Sequence, residues 1–149
     1  MKDMKILLVE DNEGDILLTR KAFEIAGVDD EIEVVKDGEK AVQFLKKEGN
    51  YQDVETPQLI LLDINLPKLN GKEVLSVIKN DLQLKTIPVI MLTTSNAQSD
   101  IVESYTHHAN CYITKPDNFN DFVDVVESIK HFWSGIVKLP ITMDLEKTN

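Results

Sequence analysis

The sequence is poor in cysteine, in basic charge and in long apolar runs. Cys111 is its one cysteine, so no internal disulfide forms, and a lone thiol suits a reducing cytoplasm. Its neighbours Asn110, Tyr112 and Ile113 supply no activating base, so Cys111 reads as a small, buried core residue. Lys and Arg number 16 against 26 Asp and Glu, a net charge of −10. That balance argues against nucleic acid, whose phosphates need a basic patch, and against an anionic membrane surface. No apolar run approaches the roughly 20 residues that span a bilayer. The opening MKDMKILLVED has no small-residue cleavage site and does not read as a signal peptide. No glycine-rich loop is present to cradle a nucleotide. What remains is a cytoplasmic chain of 149 residues, 42% of them apolar, which is the size of one domain.

The apolar residues fall in short continuous runs, each ending in polar groups. Leu59, Ile60, Leu61 and Leu62 run straight into Asp63. Ile6 to Val9 run into Glu10 and Asp11. Ile32-Glu33-Val34-Val35 is a short alternating strand, and Val89 to Thr93 and Cys111 to Thr114 are two further strands, the last stopped by Lys115-Pro116. Continuous apolar runs bounded by turn residues are strands buried on both faces. Between them lie helical patterns: Ile16, Leu17, Phe23 and Ile25; Ala41, Val42, Phe44 and Leu45; Val74, Leu75 and Ile78; Ile101, Val102 and Tyr105; and Phe119, Phe122, Val123, Val126, Ile129 and Trp133. Five strands alternating with five helices predict an α/β fold, a doubly wound parallel sheet, because parallel strands need crossovers. The common flavodoxin-like (βα)5 order is 2-1-3-4-5, with its switch point between strands 1 and 3. Those are the two strands that end in Glu10-Asp11 and Asp63.

Adjacent parallel strands lie about 4.8 Å apart, so these carboxylates must approach one another. Like charges at that range raise each other's pKa, and a divalent cation relieves the repulsion. Mg²⁺ takes oxygen ligands and binds through one or two carboxylates, waters and phosphate. Asp11 and Asp63 are the direct candidates, Glu10 acts through water, and the Asn65 backbone carbonyl can supply another oxygen. A carboxylate in such a place can attack phosphorus and form an aspartyl-phosphate. Lys115 leaves the fifth strand and Thr93 the fourth, supplying an ammonium and a hydroxyl for phosphoryl oxygens. Singly, a lysine before proline is a solvated group and a threonine at a strand end is a helix cap. Four strands placing matched groups on one sheet edge is a different matter. A cis bond at Pro116 would aim Lys115 back at the crevice. His107-His108 make a poor metal pair, since adjacent helical residues diverge; they read as helix-end residues.

Val9-Glu10-Asp11, the Asp63 strand, Thr93-Thr94 and Tyr112-Ile113-Thr114-Lys115-Pro116 resemble, in order and spacing, the response-regulator receiver domain of two-component signalling. The resemblance covers about residues 4 to 132. It implies that Asp63 accepts a phosphoryl group from a histidine kinase, and that Glu10, Asp11 and the Asn65 carbonyl arrange Mg²⁺. It implies that Thr93 and Tyr112 are a switch pair, Thr93 turning toward the phosphoryl group and the aromatic ring following. Glu10-Asp11 stands where the family often has Asp-Asp. The segments Asp11 to Asp15, Phe44 to Tyr51, Leu92 to Ser95, Phe132-Trp133 and Lys138 to Pro140 look like the small regulators paired with bacterial phytochromes, which implies a light-regulated kinase as donor. A receiver is a switch that catalyses its own phosphorylation and dephosphorylation, not a turnover enzyme.

The receiver is expected over 4–133 and a tail over 134–149, with no output domain, so the output is a protein contact. Phe122, Phe132 and Trp133 on the last helix are the interface candidates, tilted by the resemblance toward a homodimer through the last strands and helices. Two other readings compete. A haloacid-dehalogenase-like, Mg-dependent phosphatase also uses a strand-end aspartate, but its second acid is here Asn65, which cannot act as acid or base. A flavodoxin-like electron carrier would need a phosphate-cradling loop where Glu10-Asp11-Asn12 would repel phosphate.

Overall fold

A computed structural model describes residues 4–27 and 31–140. Its elements are β1 (Lys5–Val9), α1 (Glu13–Ile25), β2 (Glu31–Val35), α2 (Gly38–Leu45), β3 (Leu59–Leu62), α3 (Gly71–Lys79), β4 (Val89–Thr93), α4 (Gln98–Thr106), β5 (Cys111–Thr114) and α5 (Phe119–Lys130). All pairings are parallel, in the order β2-β1-β3-β4-β5. The expected sheet order and the alternation of strands and helices are both present.

The strand period of two divides the core into two layers. Leu7, Val9, Ile60, Leu62, Val89 and Met91 face α2 and α3, packing on Phe44, Val74 and Ile78. Ile6, Leu8, Leu59, Leu61, Ile90 and Leu92 face α1 and α5, packing on Phe23, Phe122 and Val126. The central strands β1, β3 and β4 have no polar face, which is why their sequences do not alternate. On the edge strand β2, Glu31 and Glu33 are exposed, a charged border that discourages pairing with other sheets.

Helix starts follow the cap chemistry. Asn12 Oδ1 accepts from Asp15 N at 2.9 Å, and Asp37 Oδ1 from Lys40 N at 2.7 Å. Asn70 and Glu73 form a reciprocal capping box, and Asn118 Oδ1 caps α5. Each such oxygen satisfies amides that a helix leaves orphaned.

Three expectations need correction. On α1 the buried stripe is Ile16, Thr19, Ala22 and Phe23, whereas Leu17 is 64% exposed and Ile25 57%. At 3.6 residues per turn Leu17 lies about 100° from Ile16 and falls off the stripe. Phe122 is only 5% exposed and packs under the sheet, so it has no surface to offer a partner. Cys111 is half-buried rather than fully enclosed. Across the expected boundary between receiver and tail, α5 widens into a π-helical segment, His131–Ile136, Val137 N donates to Phe132 O at 2.8 Å, and Leu139 packs against the α1/α5 core layer. The remainder of the expected tail, 141–149, lies outside the described residues. Among those residues no helix is long and apolar enough to cross a membrane.

Gly71 fixes the loop beneath the β3 exit. A Cβ there would lie 2.0 Å from the Asp63 carbonyl oxygen, while Gly71 N donates to Ile64 O at 2.8 Å. Gly71→Ala is therefore expected to lower stability by about 1–3 kcal/mol, the usual cost of overpacking against backbone, read as a lower urea midpoint at unchanged slope.

Candidate functional site

The carboxyl ends of β1, β3, β4 and β5 bring their polar groups to one crevice. Asp63 directly follows β3 and is 7% exposed; Glu10 directly follows β1 and is 1% exposed. The Asp63 amide continues the ladder by donating to Val9 O at 3.1 Å, which holds the two acids side by side. Lys115 follows β5, and its amide donates to Thr93 O at 2.7 Å. From there its side chain crosses to the acids: Nζ pairs with Glu10 Oε1, and lies 3.2 Å from Asp15 Oδ2 and 3.6 Å from Asp63 Oδ2. The Lys115–Pro116 bond is trans, as is every described peptide; the length of the lysine side chain is enough to reach the crevice.

Three carboxylates thus share one ammonium. Burial, followed by the nearby Asp63 carboxylate, pushes Glu10 from the usual carboxylate range up to about 7, against the pull of Lys115. Burial by itself would lower Lys115, but the hydrogen bond and charge of Glu10, with Asp63 and Asp15, hold it above the ordinary ammonium value. Glu10 Oε2 also accepts from the amides of Asp11 and Asn12 at 3.1 and 3.4 Å, so the entry to α1 is folded around this carboxylate.

Asp11 is exposed, and Asn65 is exposed with its amide 3.4 Å from Asp63 Oδ1. Among the described residues no three His, Cys, Asp or Glu side chains already form a metal cage: Glu10 is turned to Lys115 and Asp11 lies toward solvent. The donor set nevertheless suits a hard divalent cation. Glu10 and Asp63 are both buried and lie side by side; burial first, and then the neighbouring Asp63, disfavours the charged form of Glu10, and a cation bound between the two would offset that cost.

Thr93 is fully buried at the end of β4, its Oγ1 accepting from Ser95 N at 3.4 Å. Tyr112 is half-buried against the α2/α3 layer, and its hydroxyl donates to Ser95 O at 2.8 Å. The two residues expected to act as a pair therefore meet through one residue, Ser95. His107 and His108 end α4, His108 at φ +70°, and are exposed as expected.

Sequence reasoning missed Asp15, which reaches Lys115 from the first turn of α1. Its backbone is pinned by the Asn12 cap and by Thr19 Oγ1, which donates to Asp15 O at 2.7 Å. The signal available was its place one helical turn after Asp11 on a helix that begins at the crevice. It also missed the ion pairs of Lys72 with Asp100 and Glu103, for which a sequence read without partners gives no sign.

The family model described as the response regulator receiver domain matches residues 6–127. Response regulator Rcp1 of Synechocystis sp. is 44% identical over 135 residues, 91% of this chain and 92% of that protein. The crystal structure of the phosphorylated cyanobacterial phytochrome response regulator RcpA superposes with a TM-score of 0.89 at 46% identity, covering 94% of this chain and all of that one. The Mn²⁺-bound form of Rcp1 superposes with a TM-score of 0.86 at 43% identity, over 93% of this chain and 99% of its own. The phosphatase and electron-carrier alternatives gain no support from these matches. With the acids, the lysine and the buried threonine on one sheet edge and these matches along nearly its whole length, the chain belongs to the response regulator receiver domain family, related to the phytochrome response regulators.

Proposed function

We propose that Asp63 is the phosphoacceptor of a switch driven by a histidine kinase, and that the kinase is of the phytochrome type. The observation that carries the reading is the convergence of Asp63, Glu10 and Lys115 at the exits of three strands, in a pocket where buried negative charge exceeds the positive charge facing it. In the transfer the bond from phosphorus to the kinase histidine nitrogen breaks as an Asp63 Oδ–P bond forms, and the nitrogen keeps the electron pair. Hydrolysis later breaks that O–P bond and regenerates the carboxylate. Glu10, Asp11, Asp63 and the Asn65 carbonyl would hold Mg²⁺, which supplies charge neutralisation for the phosphoryl oxygens. Rcp1, a relative, has been solved in an Mn²⁺-bound form, which supports a divalent ion as the partner of these acids. Lys115 holds a further phosphoryl oxygen, and in doing so leaves Glu10 for the cation. The Thr93 hydroxyl turns to a third oxygen, and Tyr112 follows because both touch Ser95. The reaction is a single self-limited modification rather than substrate turnover, in a cytoplasmic protein.

The receiver unit is taken as 4–133, continued by the ordered turn that reaches Leu139. Its output is protein contact. A groove of about 580 Å³ lies between β5 and α5, walled by Cys111, Ile113, Val125, Ile129, Phe132 and Trp133. Phe132 is 48% exposed at its rim, edge-on to Trp133 at 5.4 Å between ring centres. Asn110, Asp124 and Ser128 edge the groove and the rest of its wall is apolar, the character of a homodimer surface; burial pushes the Cys111 thiol up. The interface is drawn from Phe132 and Trp133.

Asp63→Asn should abolish phosphoryl uptake from acetyl phosphate, read by intact mass; undiminished uptake would remove Asp63 from the role. Lys115→Ala should still be phosphorylated, at least slowly, yet lose the change in oligomeric state that phosphorylation brings; an unaltered change would deny the lysine its coupling role. Phe132→Ala should weaken self-association about tenfold, as for a central aromatic anchor. Sedimentation and the concentration dependence of Trp133 emission measure it, and identical wild-type and variant curves would place the interface elsewhere.

A further inference from the structure

Helix α4 has the fewest buried residues of the five helices: of its nine, only Ser104 is buried, and no side chain caps its start. The remaining helices each bury four or more. Its first turns are held by polar links instead. Lys72 Nζ lies 2.6 Å from Asp100 Oδ1 and 2.8 Å from Glu103 Oε2. The other Asp100 oxygen accepts from Ser95 Oγ at 2.5 Å, and Ala97 N donates to the same hydroxyl at 3.3 Å. Lys72 itself is firmly placed. It follows Gly71, whose backbone is packed against Asp63, on a helix that buries Val74, Leu75 and Ile78.

We infer that Lys72 is a positioning residue whose bridge to Asp100 and Glu103 holds α4 and Ser95 in the unphosphorylated arrangement, and so sets how readily Asp63 takes up a phosphoryl group. The inference rests on Asp63 being the acceptor. Thr93 cannot swing toward Asp63 without disturbing Ser95, whose amide faces its hydroxyl. Ser95 in turn is tied to Tyr112 through its carbonyl and to Asp100 through its side chain. Moving Ser95 must either break its bond to Asp100 or drag α4 off Lys72. The electrostatics agree: Asp100 is held below the usual carboxylate range by Lys72 first and then Ser95, and Lys72 above the usual ammonium value by Asp100 and then Glu103. The Lys72 and Asp100 side chains are 23% and 20% exposed, so water screens the bridge in part and its bias is modest.

A donor that reacts with the competent arrangement is taken up at a rate proportional to that arrangement's population. With Mg²⁺ and acetyl phosphate in excess, Lys72→Ala in the full chain is expected to be phosphorylated about three- to fivefold faster than wild type. Its affinity for beryllofluoride, a phosphoryl mimic, should tighten by the same factor. Lys72→Arg should restore both. A general loosening of the fold would not tighten a ligand, so the paired gain separates positioning from simple destabilisation. Uptake by Lys72→Ala at or below the wild-type rate, with Asp63→Asn unlabelled, would overturn the clamp and leave the acceptor standing; labelling of Asp63→Asn would overturn the acceptor itself. Should Lys72→Ala not fold, Glu103→Gln removes the more exposed half of the bridge and should give a smaller rise, and no rise overturns the inference.

Discussion

One ammonium serving three carboxylates is the constraint around which the crevice is arranged. Lys115 meets Glu10 from β1, Asp63 from β3 and Asp15 from α1, so a single side chain ties three elements to the exit of β5. None of these acids is neutralised one to one, and the most buried of them, Glu10, is pushed up to about 7, by burial first and then by Asp63. A site built this way has a standing demand for positive charge. It can be met by a cation, and under the proposed function it is rearranged when a phosphoryl group brings more negative charge to Asp63. The fold around it is rigid where that demand must be localised: all of β3, and all of β1 after Lys5, is buried, and their ladder runs up to Asp63.

Rigidity is not uniform. The layer formed by α2 and α3 is held by large apolar side chains, whereas α4 rests on hydrogen bonds and ion pairs with partial access to water. Apolar burial is worth roughly 1.5–3 kcal/mol per large side chain, and a partly exposed ion pair 1 kcal/mol or less, roughly. An element held mainly by the second kind of link moves at low cost. It is also the element whose preceding loop carries Ser95, the residue between Thr93 and Tyr112. Chemistry at a stiff crevice is thereby placed next to the least firmly held helix, which is the arrangement a switch needs.

The fold was legible because its signals are local. Four consecutive apolar residues before Asp63, and the runs before Glu10 and Thr93, mark strands buried on both sides, and no other element of that length buries every residue. Asp63, Glu10, Thr93 and Lys115 were legible as a set because a parallel sheet sends every strand's carboxyl end to the same edge. The faces of helices were less so. Leu17, Ile25 and Phe122 are all apolar and all near the helical spacing, yet two face water and one the core, since composition does not fix the rotation of a helix about its axis.

The sequence by itself determined the order of strands and helices, the acids and lysine at the strand ends, and the apolar character of the last helix. These follow from hydrophobic period and chain connectivity, which are properties of neighbours along the chain. Only the tertiary structure decided that Asp15 joins Lys115, that Lys72 grips Asp100 and Glu103, that Ser95 lies between Thr93 and Tyr112, and that α5 runs on into a wider turn beyond Lys130. Each of these except the last joins side chains from different elements, and such contacts depend on how helices dock on the sheet to within an ångström or two, a distance that no pattern along one chain encodes.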